Sequence, residues 1–306
     1  MYLTEFQLPI NKEQQLLSKR AEHNGGQFGY VDNPYPCGLF PGKELSGIRF
    51  GKITIFYGGN GSGKSTLLNL IAQKLELNRI APFNSGEMFD DYVKACRYDL
   101  GFDDEGFRHR IPDGSRIVTS DDIFDYMLTV RTNNDEISEG KEQALKDHAK
   151  IKYGDTVQMH GFDDYEALRI QVLARKKSVS RRQFIRKTVG NEAELHSNGE
   201  TALFYFEQKL KDNTLYLLDE PENSMSPKMQ IELAKMLEDH ARFFGCQFVI
   251  ATHSPFLLAL NGAKIYNLDS TPASICDWWE LENTRMYYEF FKKHERLFEA
   301  AAKKSD

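Results

Sequence analysis

Cysteine is scarce in this chain: four residues in 306, Cys37, Cys96, Cys246 and Cys276, far apart and without any Cys-x-x-Cys spacing. No clustered histidines complete a zinc ligand set, so free thiols in a reducing compartment are the expectation. Long apolar runs are missing as well, since no stretch approaches the roughly 18 residues that a membrane helix needs. The opening MYLTEFQLPINKEQQ places no charged leader ahead of an apolar core, which leads to the expectation of a cytoplasmic protein without a membrane span. Basic excess is absent: 39 Lys and Arg face 45 Asp and Glu, a net charge of −6. That balance argues against a surface built throughout to coat nucleic acid, though it leaves room for a local basic patch. Repeats at solenoid or propeller periods and low-complexity linkers are not found either.

What is present is ordinary globular composition, 41% hydrophobic and 27% charged, enough to bury a core and unlike a disordered, collagenous or disulfide-stapled chain. Lys52 to Tyr57 (KITIFY) is β-branched and aromatic and stops at a glycine cluster, which reads as a strand. Leu67, Leu68, Leu70, Ile71 and Leu75 follow on a helical period, predicting a helix from Lys64 to about Leu75. Leu215 to Leu218 (LYLL) is too short for a helix and reads as a buried strand. A helix from about Pro227 to Phe244 and a third strand, Gln247 to Ala251 (QFVIA), come next. Short buried strands alternating with helices predict an α/β fold: a mainly parallel sheet with helices on both faces. Residues 77–195 differ in texture and are expected to form a helical insertion within a single domain spanning 1–306, with Asp121 to Val130 and Asp163 to Lys176 as helices. Near the C-terminus, in Asn283 to Ala301, Met286, Phe290, Phe291, Leu297 and Phe298 share a helical face, for which core packing is expected over partner binding.

The chemistry concentrates in three places. Gly58-Gly59-Asn60-Gly61-Ser62-Gly63-Lys64-Ser65-Thr66 fits G-x-x-x-x-G-K-[ST], the P-loop, between a predicted strand and a predicted helix. Its glycines let successive backbone N–H groups point inward, where they and the helix N-terminus hold phosphate oxygens. Lys64 would then reach the β- and γ-phosphates of ATP, and Ser65 would ligate Mg2+. At the end of LYLL, Asp219 could hold the magnesium through water and Glu220 could orient or deprotonate an attacking water. His253 follows the third strand directly, at a strand end that should lie beside the phosphates in an open α/β sheet.

Together GGNGSGKST, LYLLDEPE, the histidine of ATHSP and the segment His196-Ser197-Asn198-Gly199-Glu200 resemble the ABC-type ATPases. More narrowly, the chain is similar to stand-alone bacterial ATPases of this type, often labelled AAA family ATPases and related to the chromosome-maintenance and DNA-repair ATPases. The resemblance covers most of the chain and is strongest in 53–75 and 194–270. It implies an ATP hydrolase in which two copies associate head to tail, Ser197 and Gly199 of one copy touching the γ-phosphate held by the other. His196, Asn198 and Glu200 depart from the usual Leu-Ser-Gly-Gly-Gln signature. Asn223-Ser224-Met225-Ser226-Pro227 lacks the aspartate that many transporters carry after this strand. No glutamine stands at a recognisable Q-loop; Arg116 to Thr119 with Ser120-Asp121 is the candidate place, and Tyr30, Tyr35 and Phe50 are all candidates for stacking on adenine.

Two classes of function remain open on this reading. One is an ATP-gated dimerisation switch acting on nucleic acid or a partner protein; stand-alone ATPases of this kind also resemble components of bacterial anti-phage systems. The other is the nucleotide-binding subunit of a membrane transporter, from which the irregular signature departs. A small-molecule kinase would use the same P-loop but has no need of Glu220, His253 and a signature-like loop together. Arg175 to Lys187 (RKKSVSRRQFIRK) holds seven basic and no acidic residues; it is either a solvated face or a contact for nucleic-acid phosphates.

Overall fold

The computed structural model describes residues 1–9, 12–15, 17, 35–83, 85, 87–103, 105–130 and 198–302. Its chain falls into two compact units, Met1–Ile123 with Ala202–Asp306, and Phe124–Thr201. In the first unit a three-stranded antiparallel sheet is ordered β2-β1-β4, with β1 Leu3–Gln7, β2 Gly47–Arg49 and β4 Arg97–Leu100. A six-stranded sheet is ordered β5-β6-β7-β3-β8-β9. It is built from β3 Ile53–Tyr57, β5 Arg116–Thr119, β6 Leu215–Asp219, β7 Gln247–Ala251, β8 Lys264–Asn267 and β9 Ser274–Cys276. All neighbours in it are parallel except the β8–β9 edge pair, as the alternation of short apolar strands with helices predicts.

Both faces of this sheet are buried, and the strand period shows how. Phe56, Leu215, Leu217, Val249 and Ala251 belong to one core cluster with Leu67, Leu68 and Ile71 of helix α1 (Lys64–Lys74). Phe89 and Tyr92 of α2 (Glu87–Ala95) join the same cluster. The alternate residues Ile55, Tyr216, Leu218, Phe248 and Ile250 lie outside that cluster and are also fully buried, so they need a cover of their own. On α4 (Pro227–Phe243), which packs against β7, Leu233, Leu237 and Ala241 recur at four-residue spacing as the buried stripe. Gln247 ties the two sheets together. Its buried amide oxygen accepts from the backbone N–H of Tyr2 (3.0 Å) and Leu3 (2.9 Å), and its amide nitrogen donates to the carbonyls of Leu3 (2.7 Å) and Gly51 (3.0 Å). Every hydrogen-bonding direction of that amide is used, so the cost of taking it out of water is offset by the bonds it makes.

The range 77–195, expected as a helical insertion, contains α2 and the strands β4 and β5, which pair into the two sheets. Residues 120–130 are helical, and Asp163 to Lys176 lies outside the described residues. In the second unit Thr129 donates its hydroxyl to the Asp125 carbonyl; helix α3 spans Asn198–Lys209.

The C-terminal expectation is overturned. Beyond the short α5 (Pro255–Leu258), instead of one packed helix there are two, α6 (Glu282–Lys293) and α7 (Glu295–Ala302), breaking at His294. Met286 is 61% exposed, Phe290 58% and Leu297 68%, and Phe291 and Phe298 are exposed as well. Helical spacing of apolar residues defines a face but not a cover for it, and in this structure the face lies open.

Candidate active site

Strand order brings the predicted residues together. Because β7 lies between β6 and β3, the carboxyl ends of three adjacent parallel strands converge, each carrying one of the three motifs. After β3 the chain turns through the glycine loop into α1. Gly58 is required by close approach: a Cβ there would lie 2.6 Å from Ser62 Oγ. Gly63, with φ of 99°, caps α1 in a left-handed conformation, and a Cβ would press on Leu39 and Phe40 at 3.1 Å.

Lys64 folds back over this loop. Its ammonium donates to the carbonyls of Gly58 (2.7 Å) and Gly59 (3.3 Å) and lies 2.7 Å from His253 Nε2. A lysine ammonium only donates, so Nε2 accepts and the imidazole proton sits on Nδ1. Burial draws the lysine below its ordinary range, while the carboxylates of Glu220, Asp219 and Asp269 pull it back up. Burial, and then the positive charge of Lys64, hold His253 below the usual histidine range, with Glu220 and Asp269 opposing. The imidazole is therefore neutral at pH 7.

Ser65 Oγ donates to Asp219 Oδ1 at 2.9 Å. Burial pushes the Asp219 carboxyl up to about 6 despite that bond, with Glu220 adding to the rise. Glu220 stands one residue past β6 in the left-handed region, φ 48°, which turns its side chain out of the strand path; Oε1 is 3.5 Å from His253 Nε2. Asn223 Nδ2 donates to Glu220 Oε2 at 3.2 Å. Within the loop, Ser62 Oγ is buried and has no hydrogen-bond partner, a polar atom in want of a ligand.

A family model described as ABC transporter matches residues 46–223, more than half of the chain and the stretch that holds both the glycine loop and Asp219-Glu220. The chain belongs to the ABC transporter family. Within that family it is an ABC-type P-loop ATPase domain. A second model, an AAA domain tied in its description to the AbiEii toxin of Type IV TA systems, matches residues 193–259. Among solved structures, one similar chain is the dimeric ATP-binding cassette MJ0796 in a post-hydrolysis state bound to ADP and Pi. It is 14% identical over 76% of this chain and 88% of that one, TM-score 0.36. The SmcHead bound to the C-winged helix domain of ScpA is 15% identical over 75% and 92%, TM-score 0.36. The SMC head domain from Thermotoga maritima is 13% identical over 90% and 99%, TM-score 0.35. A search of curated proteins found no match.

In this ABC-type ATPase domain the structure unites Gly58, Asn60, Gly61, Ser62, Gly63, Lys64, Ser65, Thr66, Asp219, Glu220 and His253 around one loop. Ser197 and the basic run Arg175 to Lys187 lie outside the described residues, as does Tyr30, while Gly199 is buried in the first turn of α3. Phe50 is 5% exposed in the core cluster, so it offers no ring face to a base. Tyr35 is half-buried, stacked 6.0 Å from Phe89, with its hydroxyl donating to Thr66 Oγ1 at 2.8 Å. At the Q-loop candidate place, Asp122 accepts from Thr119 N–H (2.7 Å) and Ala81 N–H (2.9 Å).

Two carboxylates of the site have no counterpart in the motif reading. Asp269, two residues past β8, accepts from Gly59 N–H at 2.7 Å; nothing local in its sequence marks it. Glu222 is buried two residues past Glu220, and its signal was the second glutamate of Asp-Glu-Pro-Glu.

Proposed function

We propose that this domain binds and hydrolyses ATP at the carboxyl ends of β3, β7 and β6, and that ATP drives two copies together as a switch acting on nucleic acid or a partner protein. One observation carries the reading: Lys64, Ser65, Asp219, Glu220 and His253, drawn from three strand ends, meet around a glycine loop within hydrogen-bonding or ion-pair reach of one another. ATP would enter by replacing the loop carbonyls as the partner of the Lys64 ammonium, with the loop amides and Ser62 Oγ taking further phosphate oxygens.

The Ser65 hydroxyl and the Asp219 carboxylate are hard oxygen donors 2.9 Å apart, a pair that fits Mg2+. When bound there, the cation would neutralise charge on the phosphate oxygens. Glu220 is the general base for the attacking water; once Lys64 turns to the phosphates, the neutral His253 imidazole orients that water by accepting at a ring nitrogen, or the γ-phosphate by donating its ring N–H. Ser197 and Gly199 of a second copy would close the site, which gives ATP a direct influence on association. The single domain across 1–306, its insertion and a cytoplasmic setting belong to the same proposal. Among the described residues no helix is long and apolar enough to cross a membrane.

The test is light scattering of the Glu220→Gln variant. With ATP and magnesium it should elute as a dimer, whereas the same protein carrying Ser197→Arg should remain a monomer. A monomer in both cases would overturn self-association. Salt titration of DNA and RNA binding, with Arg181, Arg182 and Arg186 changed to glutamine, separates the two kinds of effector. Loss of binding and a shallower salt slope would favour nucleic acid; no binding by the wild type at low salt would favour a protein.

A further inference from the structure

Glu222 gathers three hydrogen bonds on one oxygen. Its Oε1 accepts from the Thr252 hydroxyl, from the His253 N–H at 3.0 Å and from the Ser254 N–H at 3.2 Å. These are the first three residues after β7, the turn that carries the histidine. The carboxyl is 8% exposed, and its second oxygen is buried without a partner. A buried acid so placed is expensive unless its bonds do something that a hydroxyl or amide could not.

The bonds close a ring. Ser254 Oγ donates to Gln230 Oε1 at 2.7 Å, and Gln230 Nε2 donates to the Met225 carbonyl at 3.0 Å. Met225 N–H in turn bonds the Glu222 carbonyl at 3.0 Å. The turn after β6 and the turn after β7 are thus fastened through one carboxylate and one amide. The Glu220 N–H adds a direct bond to Ala251 O at 2.9 Å.

We infer that Glu222 is a positioning residue of this ATPase: it fixes the His253 turn to the Glu220 turn, so that imidazole and general base keep one spacing during hydrolysis. The inference rests on the ATPase reading above. It gives Glu222 no contact with nucleotide, so nucleotide affinity and turnover should respond differently to its removal.

The experiment is a double-mutant cycle on ATP hydrolysis. Glu222→Ala should lower kcat about tenfold or more and change KM for ATP by less than about threefold, as misplacement of a water-orienting group predicts. In a His253→Ala background the same change should have almost no further effect, because the residue it positions is gone. Should Glu222→Ala fail to fold, Thr252→Val, which removes one donor from the same oxygen and keeps the shape, carries the same cycle with a smaller kcat loss. Multiplying losses in the double variant, or a KM that rises as kcat falls, would reduce Glu222 to a general structural role and overturn the inference. A wild type with no ATP hydrolysis would remove the ATPase reading itself, a result distinct from either.

Discussion

The carboxyl ends of β3, β7 and β6 and the C-terminal pair α6–α7 are opposite solutions to the placement of side chains. At the strand ends Lys64 is buried, Asp219, Glu220 and His253 are half-buried, and these groups are held by one another. On the helices, aromatic groups stand open to solvent. Each strand-end residue occupies a position fixed by a backbone that hydrogen-bonds on both sides, and its neighbour is set by strand order. Each helical residue occupies a face whose partner no local rule specifies. Short motifs are therefore good guides to the first region, and amphipathic periodicity is a poor guide to the second.

Breaking the strand-end arrangement should give the largest effect. Lys64→Ala removes the ammonium around which the loop closes, and titration calorimetry should then detect no ATP binding. Retained affinity would dismantle the phosphate-site assignment. Next in size, Glu220→Gln should bind ATP as the wild type does yet lose hydrolysis by roughly a hundredfold or more, as expected for loss of a general base. Phosphate release within about threefold of wild type would take Glu220 out of that role.

Stability measurements sharpen the contrast directly. Leu217 is 0% exposed at the centre of β6, so Leu217→Ala should cost about 2–5 kcal/mol in denaturant unfolding. Phe290→Ala, on the open helical face, should stay within about 0.5 kcal/mol. A large loss at Phe290 would mean that something covers α6 in solution.

The smallest effect concerns acid. The folded protein holds His253 below its ordinary value, so it takes up the imidazole proton later than the unfolded chain does as pH falls. The stability associated with the neutral ring is present above about 6.5, the unfolded value, and is lost as pH drops through the folded one. His253→Gln should flatten the decline in Tm between about pH 7 and pH 5. An unchanged slope would place the acid sensitivity elsewhere.

Much of this was legible from residues alone. β3, β6 and β7 appear in the sequence as short, mainly apolar runs that end at glycine, acid and Thr252-His253 respectively, because buried parallel strands need apolar residues on both faces. The roles proposed for Lys64, Ser65, Asp219, Glu220 and His253 follow from what each strand end must supply. Glu222 and Asp269 escaped because their importance lies in what they touch: a turn 30 residues on and a loop 210 residues back. Neither distance leaves a mark in local pattern. The C-terminal face was misjudged because helical periodicity records amphipathicity alone.

The position of β3 in the middle of its sheet has a consequence for how the chain reaches its native state. Its neighbours are β7 and β8, synthesised some 190 residues later, as the separation of Lys64 from His253 shows. Until they emerge, both edges of a strand that is wholly buried in the native state have no partner in the sheet, a template for wrong pairing. Contacts of such separation slow folding, since the loop must close before the pairing stabilises it. The nucleotide loop, carried between β3 and α1, is thus translated early and assembled late: a nascent chain that ends before Gln247 contains the entire phosphate-binding motif but not the strand that brings His253 to it.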